Sequence, residues 1–284
     1  MQAFTNKTAV ITGAASGIGR SLARRAATEG MRVVIADIEP TPLIEVEREL
    51  MGLGTPVLAV RTDISKPADV AMLAQQAVER FERVDVLFNN AGVGAGGTIW
   101  ESSIEDWDWV LGINLWGVIH GLRTFVPLML AQGGEGHIVN TASMAGLVTF
   151  HPSAPYHVSK HAAIALSEQL MVSLKLQRAS IGVSVLCPGM VRTRILESER
   201  NRPAIGDASA TPGAARDAVL GQAENPILAA MMAEALAGEI SPDVVADMTF
   251  AGIRAGHFYI VTHPQLAQPV RDRVNAILQA LPAQ

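Results

Sequence analysis

The chain has 284 residues, of which 49% are hydrophobic and 17% charged, with 22 Lys+Arg against 27 Asp+Glu and a formal charge of −5. That balance excludes a disordered chain and a basic nucleic-acid binder. A compact protein of this length buries roughly 75% of the surface its unfolded chain exposes, so residues 1–284 are expected to form a single domain around one large core.

In chain order, short β-branched runs alternate with longer helical patterns. TAVIT (8–12) precedes a helix over 17–29, RVVIAD (32–37) one over 41–52, PVLAV (56–60) one over 66–81, and VDVLFN (84–89) two helices reaching about 131. Thr41-Pro42 and Ser65 before Pro67 mark helix starts, and Ser102/Glu105 or Ser103/Asp106 has capping-box spacing. A strand at HIVNTA (137–142), a helix over 154–178 and a strand at GVSVLC (182–187) follow. The pattern then loosens over 195–239, with a Met-rich helix around 226–237; so long a segment between strands is expected to be a substrate lid. Ser241-Pro242-Asp243 opens another helix, FYIVT (258–262) reads as the last strand, and 265–281 as a C-terminal helix. Such β-α alternation predicts a doubly wound parallel sheet with helices on both faces.

The lone Cys187 allows no intramolecular disulfide and no cysteine-based zinc site; it reads as a small buried residue in a reducing compartment. MQAFTNKTAVITG lacks the apolar run of a signal peptide, and no run approaches the roughly 18 apolar residues of a membrane span. A cytoplasmic protein without membrane or nucleic-acid partners is expected.

Directly after the first strand, Thr12-Gly13-Ala14-Ala15-Ser16-Gly17-Ile18-Gly19 forms a glycine-rich turn into a helix. Glycine lets the backbone turn tightly and approach a diphosphate, whose charge the helix N-terminus stabilises. The second strand ends in Asp37, 24 positions after Gly13 and near the spacing at which a carboxylate accepts from an adenosine ribose. Its neighbours Ala36, Ile38 and Glu39 include no Arg or Lys for a 2′-phosphate, so NAD is expected rather than NADP.

Tyr156 and Lys160 stand one helical turn apart, on one face. A free tyrosine titrates at about pH 10, and a neighbouring ammonium stabilises its phenolate, which makes a general base. Two tyrosines and four lysines in 284 residues meet at this spacing by accident roughly 3% of the time.

With TGAASGIG at 12–19, Asp37, Asp63, Asn89-Asn90-Ala91-Gly92, Asn114, Ser143, Tyr156/Lys160 and Pro188-Gly189 before Thr193, the chain resembles the short-chain dehydrogenase/reductase family over nearly its whole length. The resemblance implies one Rossmann-like domain in which Tyr156 transfers the substrate proton. Lys160 lowers the Tyr156 pKa and binds the nicotinamide ribose, Ser143 orients the substrate oxygen, and Asn114 holds a water linking Lys160 to solvent. Gly13, Ser16, Gly17, Ile18 and Gly19 cradle the cofactor, and Asp63 with adjacent Ile64 meets the adenine. Asn90, Ala91 and Gly92 border the adenosine side; backbone at Pro188, Gly189 and Val191, with Thr193, holds the carboxamide. Ser143 and Asn114 can also simply end a strand or turn a helix.

The expected reaction is NAD-dependent interconversion of a secondary alcohol and its ketone. Ile195, Leu196, Ile227, Leu228 and the methionines suggest a bulky, apolar substrate. GHIVNTASMAGL (136–147), Asn201-Arg202-Pro203 and FYIVTHP (258–264) are similar to bacterial dehydrogenases of bulky alcohols, including those oxidising the benzylic alcohol of lignin β-aryl ethers. The chain lacks the Val-Asp-Gly-Gly ending common in the family. The family also implies a homodimer or homotetramer joined through helices at 112–131 and 154–178, although core packing equally explains Leu115, Ile119, Leu122 and Val126. An NADPH-dependent ketone reductase and a catalytically silent dinucleotide-binding protein remain as alternatives.

Among other candidates, His157 and His161 have i,i+4 metal-ligand spacing but no evident third ligand, so packing is expected and no metal site. His151 is either a pocket residue or a surface histidine. Trp100, Trp107, Trp109 and Trp116 are read as core, and Met231 and Met232 as either pocket walls or helix packing.

Overall fold

The structure, a computed structural model, describes residues 1–94, 97–149, 153–203 and 238–282. His151, Ile227, Leu228, Met231, Met232, the expected helix at 226–237 and most of the 195–239 segment lie outside these residues.

Seven strands, β1 (Thr8–Thr12), β2 (Arg32–Asp37), β3 (Val57–Arg61), β4 (Val86–Asn89), β5 (Gly136–Thr141), β6 (Ile181–Cys187) and β7 (Tyr259–Val261), form one sheet in the order β3-β2-β1-β4-β5-β6-β7. Every pairing is parallel. The helices are α1 (Gly17–Thr28), α2 (Pro40–Gly52), α3 (Pro67–Phe81), α4 (Ile104–Leu111), α5 (Gly117–Gln132), α6 (Ala154–Leu176), α7 (Pro242–Ala255) and α8 (Ala267–Gln279).

The strands are apolar throughout because both faces are covered. Ala9, Ile11, Val33, Ile35, Val86 and Phe88 point to one side and meet Leu22 of α1, Leu43 and Leu50 of α2 and Phe250 of α7. The alternate residues Val10, Val34 and Leu87 meet Leu73 of α3, Phe125 of α5 and Leu174 of α6. Strand order reverses between β1 and β4, and a crevice opens there at the carboxyl ends of the strands.

Two helix starts differ from expectation. Helix α2 begins at Pro40 behind Glu39 instead of at Thr41, and α3 is preceded by Lys66, not Ser65. The Ser65 hydroxyl is taken by Asp63, to which it donates at 2.6 Å. Of the two capping-box candidates, Ser103/Asp106 forms: Asp106 N–H donates to Ser103 Oγ and Ser103 N–H to the Asp106 carboxylate.

Helices α4 and α5 are continuous through a π-helical turn at Gly112–Trp116, giving a rod of 29 residues, Ile104–Gln132, that is long and apolar enough to cross a membrane by length and composition. The sequence reading found no such run because Asn114, His120 and Arg123 interrupt it. In the fold Val110, Val118, Leu122, Phe125 and Met129 of this rod are buried against the domain. The tryptophans divide: Trp109 is buried, whereas Trp100 is 82% exposed in the loop before α4 and Trp116 51% exposed on the outer side of the rod, so neither belongs to the core.

Candidate active site

The cleft above β1 and β4 has a volume of about 700 Å³. Its first wall is the glycine turn. Gly13 has φ +66°, and a Cβ there would lie 2.7 Å from Ala91 Cα; at Gly19 a Cβ would lie 2.0 Å from Gly13 O. Only glycine lets α1 start this close to the turn. The N-cap residue Ser16 makes no side-chain cap bond to α1, so first-turn N–H groups are left for an anion at the cleft surface formed by Ser16, Gly17 and Ile18. Thr193 closes over Gly17, where an added Cβ would meet Thr193 Cγ2 at 2.9 Å. The cradle fits a dinucleotide.

Asp37 lies half-buried at the end of β2 and accepts from Ala15 N–H at 2.9 Å and Glu39 N–H at 3.0 Å. Burial pushes its pKa up, against those two donors. Asp63 and Ile64 line the same end; the Asp63 carboxylate is held by Ser65 and by Lys66 at 3.1 Å. Asn90 ties the turn to β4, with Nδ2 donating to Thr12 O at 3.0 Å and its N–H to Thr12 Oγ1 at 2.9 Å.

At the opposite end Ser143, Tyr156 and Lys160 converge. Ser143 Oγ donates to Pro188 O at 3.3 Å and hydrogen-bonds with the Tyr156 phenol. Lys160 Nζ sits 5.6 Å from the Tyr156 ring centroid and donates to Thr141 O at 3.0 Å. Here the electrostatics differ from the expectation. Burial pushes the Tyr156 phenol above its ordinary value, the Ser143 hydrogen bond only partly opposing it, and burial lowers Lys160 to about 8. Both groups are desolvated together, and in the protein alone burial decides the direction of each shift.

Of the described catalytic and cofactor residues expected at the site, all but Gly19 and Asn114 line the cleft. Gly19 lies behind the turn. Asn114, 1% exposed, sits in the π-turn with its amide committed: Oδ1 accepts from Val93 N–H at 2.8 Å, and Nδ2 donates to Val93 O at 2.9 Å and Ser159 Oγ at 3.1 Å. Pro188, Gly189 and Val191 pass along the floor, and Ala91 and Gly92 along the β4 side. His157 donates from Nδ1 to Ala145 O, and His161 to His157 O, each at 2.9 Å.

Sequence reasoning missed three features. His263, 2% exposed, accepts from Gly189 N–H at 3.0 Å and donates from Nε2 to Met190 O at 3.0 Å, clamping the floor. Leu266 and Pro269, at the start of the C-terminal helix, join Val93, Met144, Val148 and Leu196 in an apolar wall. Arg194 and Arg200 reach the Asp37 end: its chain neighbours carry no cation, but these two residues come from more than 150 positions away, carried by the 3-10 turn Ile195–Asn201. Two arginines shortly after Thr193 were the sequence cue.

A model of the short chain dehydrogenase family matches residues 7–204. The chain is 34% identical to a CLA biosynthesis dehydrogenase/reductase of Lactiplantibacillus plantarum over 98% of this chain and 95% of that protein. It is 31% identical to a C alpha-dehydrogenase of Sphingobium sp. (strain NBRC 103272 / SYK-6) over 99% of this chain and 88% of that one. Among solved structures, a short chain dehydrogenase/reductase from Burkholderia phymatum in complex with NAD superposes with a TM-score of 0.88 at 42% identity, covering 100% of this chain and 99% of that one.

Proposed function

The chain belongs to the short-chain dehydrogenase/reductase family and is an oxidoreductase acting on CH–OH groups, and from that premise we propose that it interconverts a bulky apolar or aromatic secondary alcohol and its ketone with NAD. The observation that carries this reading is the convergence of Ser143, Tyr156 and Lys160 on the cleft that begins at the glycine turn. Bound NAD supplies the hydride acceptor. Gly13, Ser16, Gly17 and Ile18 hold the diphosphate, with Gly19 keeping α1 close behind and Thr193 on the carboxamide. Asp37 takes the adenosine ribose, Asp63 and Ile64 the adenine, and Asn90, Ala91 and Gly92 the adenosine side. Pro188, Gly189 and Val191 present backbone to the carboxamide.

Ser143 orients the substrate oxygen and Tyr156 takes its proton. Lys160 places a cation beside Tyr156 and binds the nicotinamide ribose, while Asn114 pins the β4 side to α6 around it. Tyr156→Phe removes the proton acceptor and little else. Turnover falls by about 10²–10⁴-fold, while NADH binding, followed by fluorescence, stays at the wild-type value. Activity like that of the wild type refutes the assignment.

The wall of Val93, Met144, Val148, Leu196 and Leu266 supports the bulky apolar substrate. A panel of secondary alcohols and ketones with NAD(H) and NADP(H) reads both choices at once. A second reading, NADPH-dependent ketone reduction, draws on Arg194 and Arg200 beside Asp37. Exposed Trp116 on the rod and Met171, Val172 and Leu176 on α6 support a homodimer or homotetramer in the cytoplasm, where Cys187 stays a free thiol.

A further inference from the structure

Charge from two distant parts of the chain meets at the Asp37 end of the cleft. Glu39, which starts α2, faces Arg200 of the Ile195–Asn201 turn. Arg200 Nη2 donates to Glu39 Oε2 at 2.9 Å, and Nε to the two carboxylate oxygens at 3.2 and 3.3 Å. Its Nη1 donates to Arg194 O at 3.1 Å and Glu197 O at 3.0 Å. The turn is therefore wrapped around one guanidinium, whose outward fork is occupied by Glu39. Arg194 lies within 4.0 Å of Glu39 as well, though its closer partner is Glu197 at 3.0 Å. Arg200 beside it holds the Glu39 carboxyl below the usual range, so the carboxylate is ionised at neutral pH.

We propose that Arg200 is a specificity-determining residue: a preformed 2′-phosphate contact that Glu39 keeps occupied, so that the Glu39–Arg200 pair, together with Asp37, sets the choice of NAD over NADP. This rests on the NAD reading and deepens it. Asp37, Glu39, Arg194 and Arg200 all line the same end of the cleft. With Glu39 in place, an incoming phosphate meets two carboxylates and an Arg200 fork that is already filled. Neutralising Glu39 leaves one carboxylate against two guanidinium groups. Because the Nη1 bonds to the turn do not depend on Glu39, the freed fork of Arg200 stays where it is, and a planar fork suits phosphate.

Titration of NADH and NADPH fluorescence on the wild type, Glu39→Gln and Glu39→Gln/Arg200→Met tests this without turnover. A hydrogen bond to a charged group is worth enough that Glu39→Gln should tighten NADPH by about 10–100-fold relative to NADH. The double variant should lose that gain. Should the methionine not fold beneath the turn, Glu39→Gln/Arg200→Lys serves, and its gain should be smaller because an ammonium lacks the fork. An unchanged NADPH:NADH ratio in Glu39→Gln overturns the proposal, as does a gain that survives loss of the Arg200 guanidinium. The wild type alone tests the NAD reading: equal binding of both dinucleotides refutes it, while the comparison of single and double variants still decides the role of Arg200.

Discussion

Lys160 keeps an ammonium where only 4% of the residue is exposed, and it donates to Thr141 O. Burial lowers its pKa from 10.5 to about 8, so folding penalises the charged form. The penalty is complete below pH 8 and disappears as pH rises, because the unfolded chain then binds the extra proton. Stability should thus increase by about 1 kcal/mol between pH 8 and 9. Above pH 9 the buried Cys187 thiol, pushed up from 9.0 to about 12, works the opposite way: it keeps a proton that the unfolded chain has lost. Urea denaturation at pH 8 and 9 checks this. Lys160→Met should abolish the rise, and a variant that keeps it shows that Lys160 is not its source. At this scale the sequence was readable where partners are near, as with Tyr156 and Lys160. It was silent on Glu39 and Arg200, separated by 161 positions, because a charge in a loop carries no mark of what the fold brings to it.

The strands and helices were legible for a physical reason: a parallel sheet covered on both faces needs unbroken apolar runs, and RVVIAD and GVSVLC are such runs. Helix starts were less so, since Ser65 has both a cap to make and Asp63 to bind, and only the fold chooses. The π-turn at Gly112–Trp116 had no sequence signal at all, although it places Asn114. The rod holding that turn is capped by Ser103, whose hydroxyl and Asp106 satisfy two otherwise orphaned N–H groups. Ser103→Ala removes the acceptor of the Asp106 N–H at an exposed site, without a cavity, and should cost about 1 kcal/mol in urea denaturation. Restoring the hydroxyl with Thr should recover most of the loss; an Ala variant as stable as the wild type means that the rod is held by packing alone.

The two apolar layers are separate clusters, yet neighbouring residues of each central strand belong to opposite ones: Ile11 to the α1/α7 side and Val10 to the α3/α5 side. Neither layer can open without stripping the sheet from the other, so the domain is expected to unfold as one unit. Phe250 of α7 tests this. Its side chain is 0% exposed, with its ring centroid 4.9 Å from that of Phe4 and 5.7 Å from that of Phe88. Phe250→Ala should cost about 3–5 kcal/mol, a large part of the roughly 5–15 kcal/mol that folds a domain. Trp109 packs with Val93 and Val110 in a different cluster, so tryptophan fluorescence reports on a region the substitution does not touch. In a single cooperative transition the fluorescence and far-ultraviolet circular dichroism midpoints of Phe250→Ala move down together. A fluorescence midpoint left at the wild-type position while the dichroism splits into two steps means that the layers unfold separately, and the cleft between β1 and β4 then has two independently stable walls.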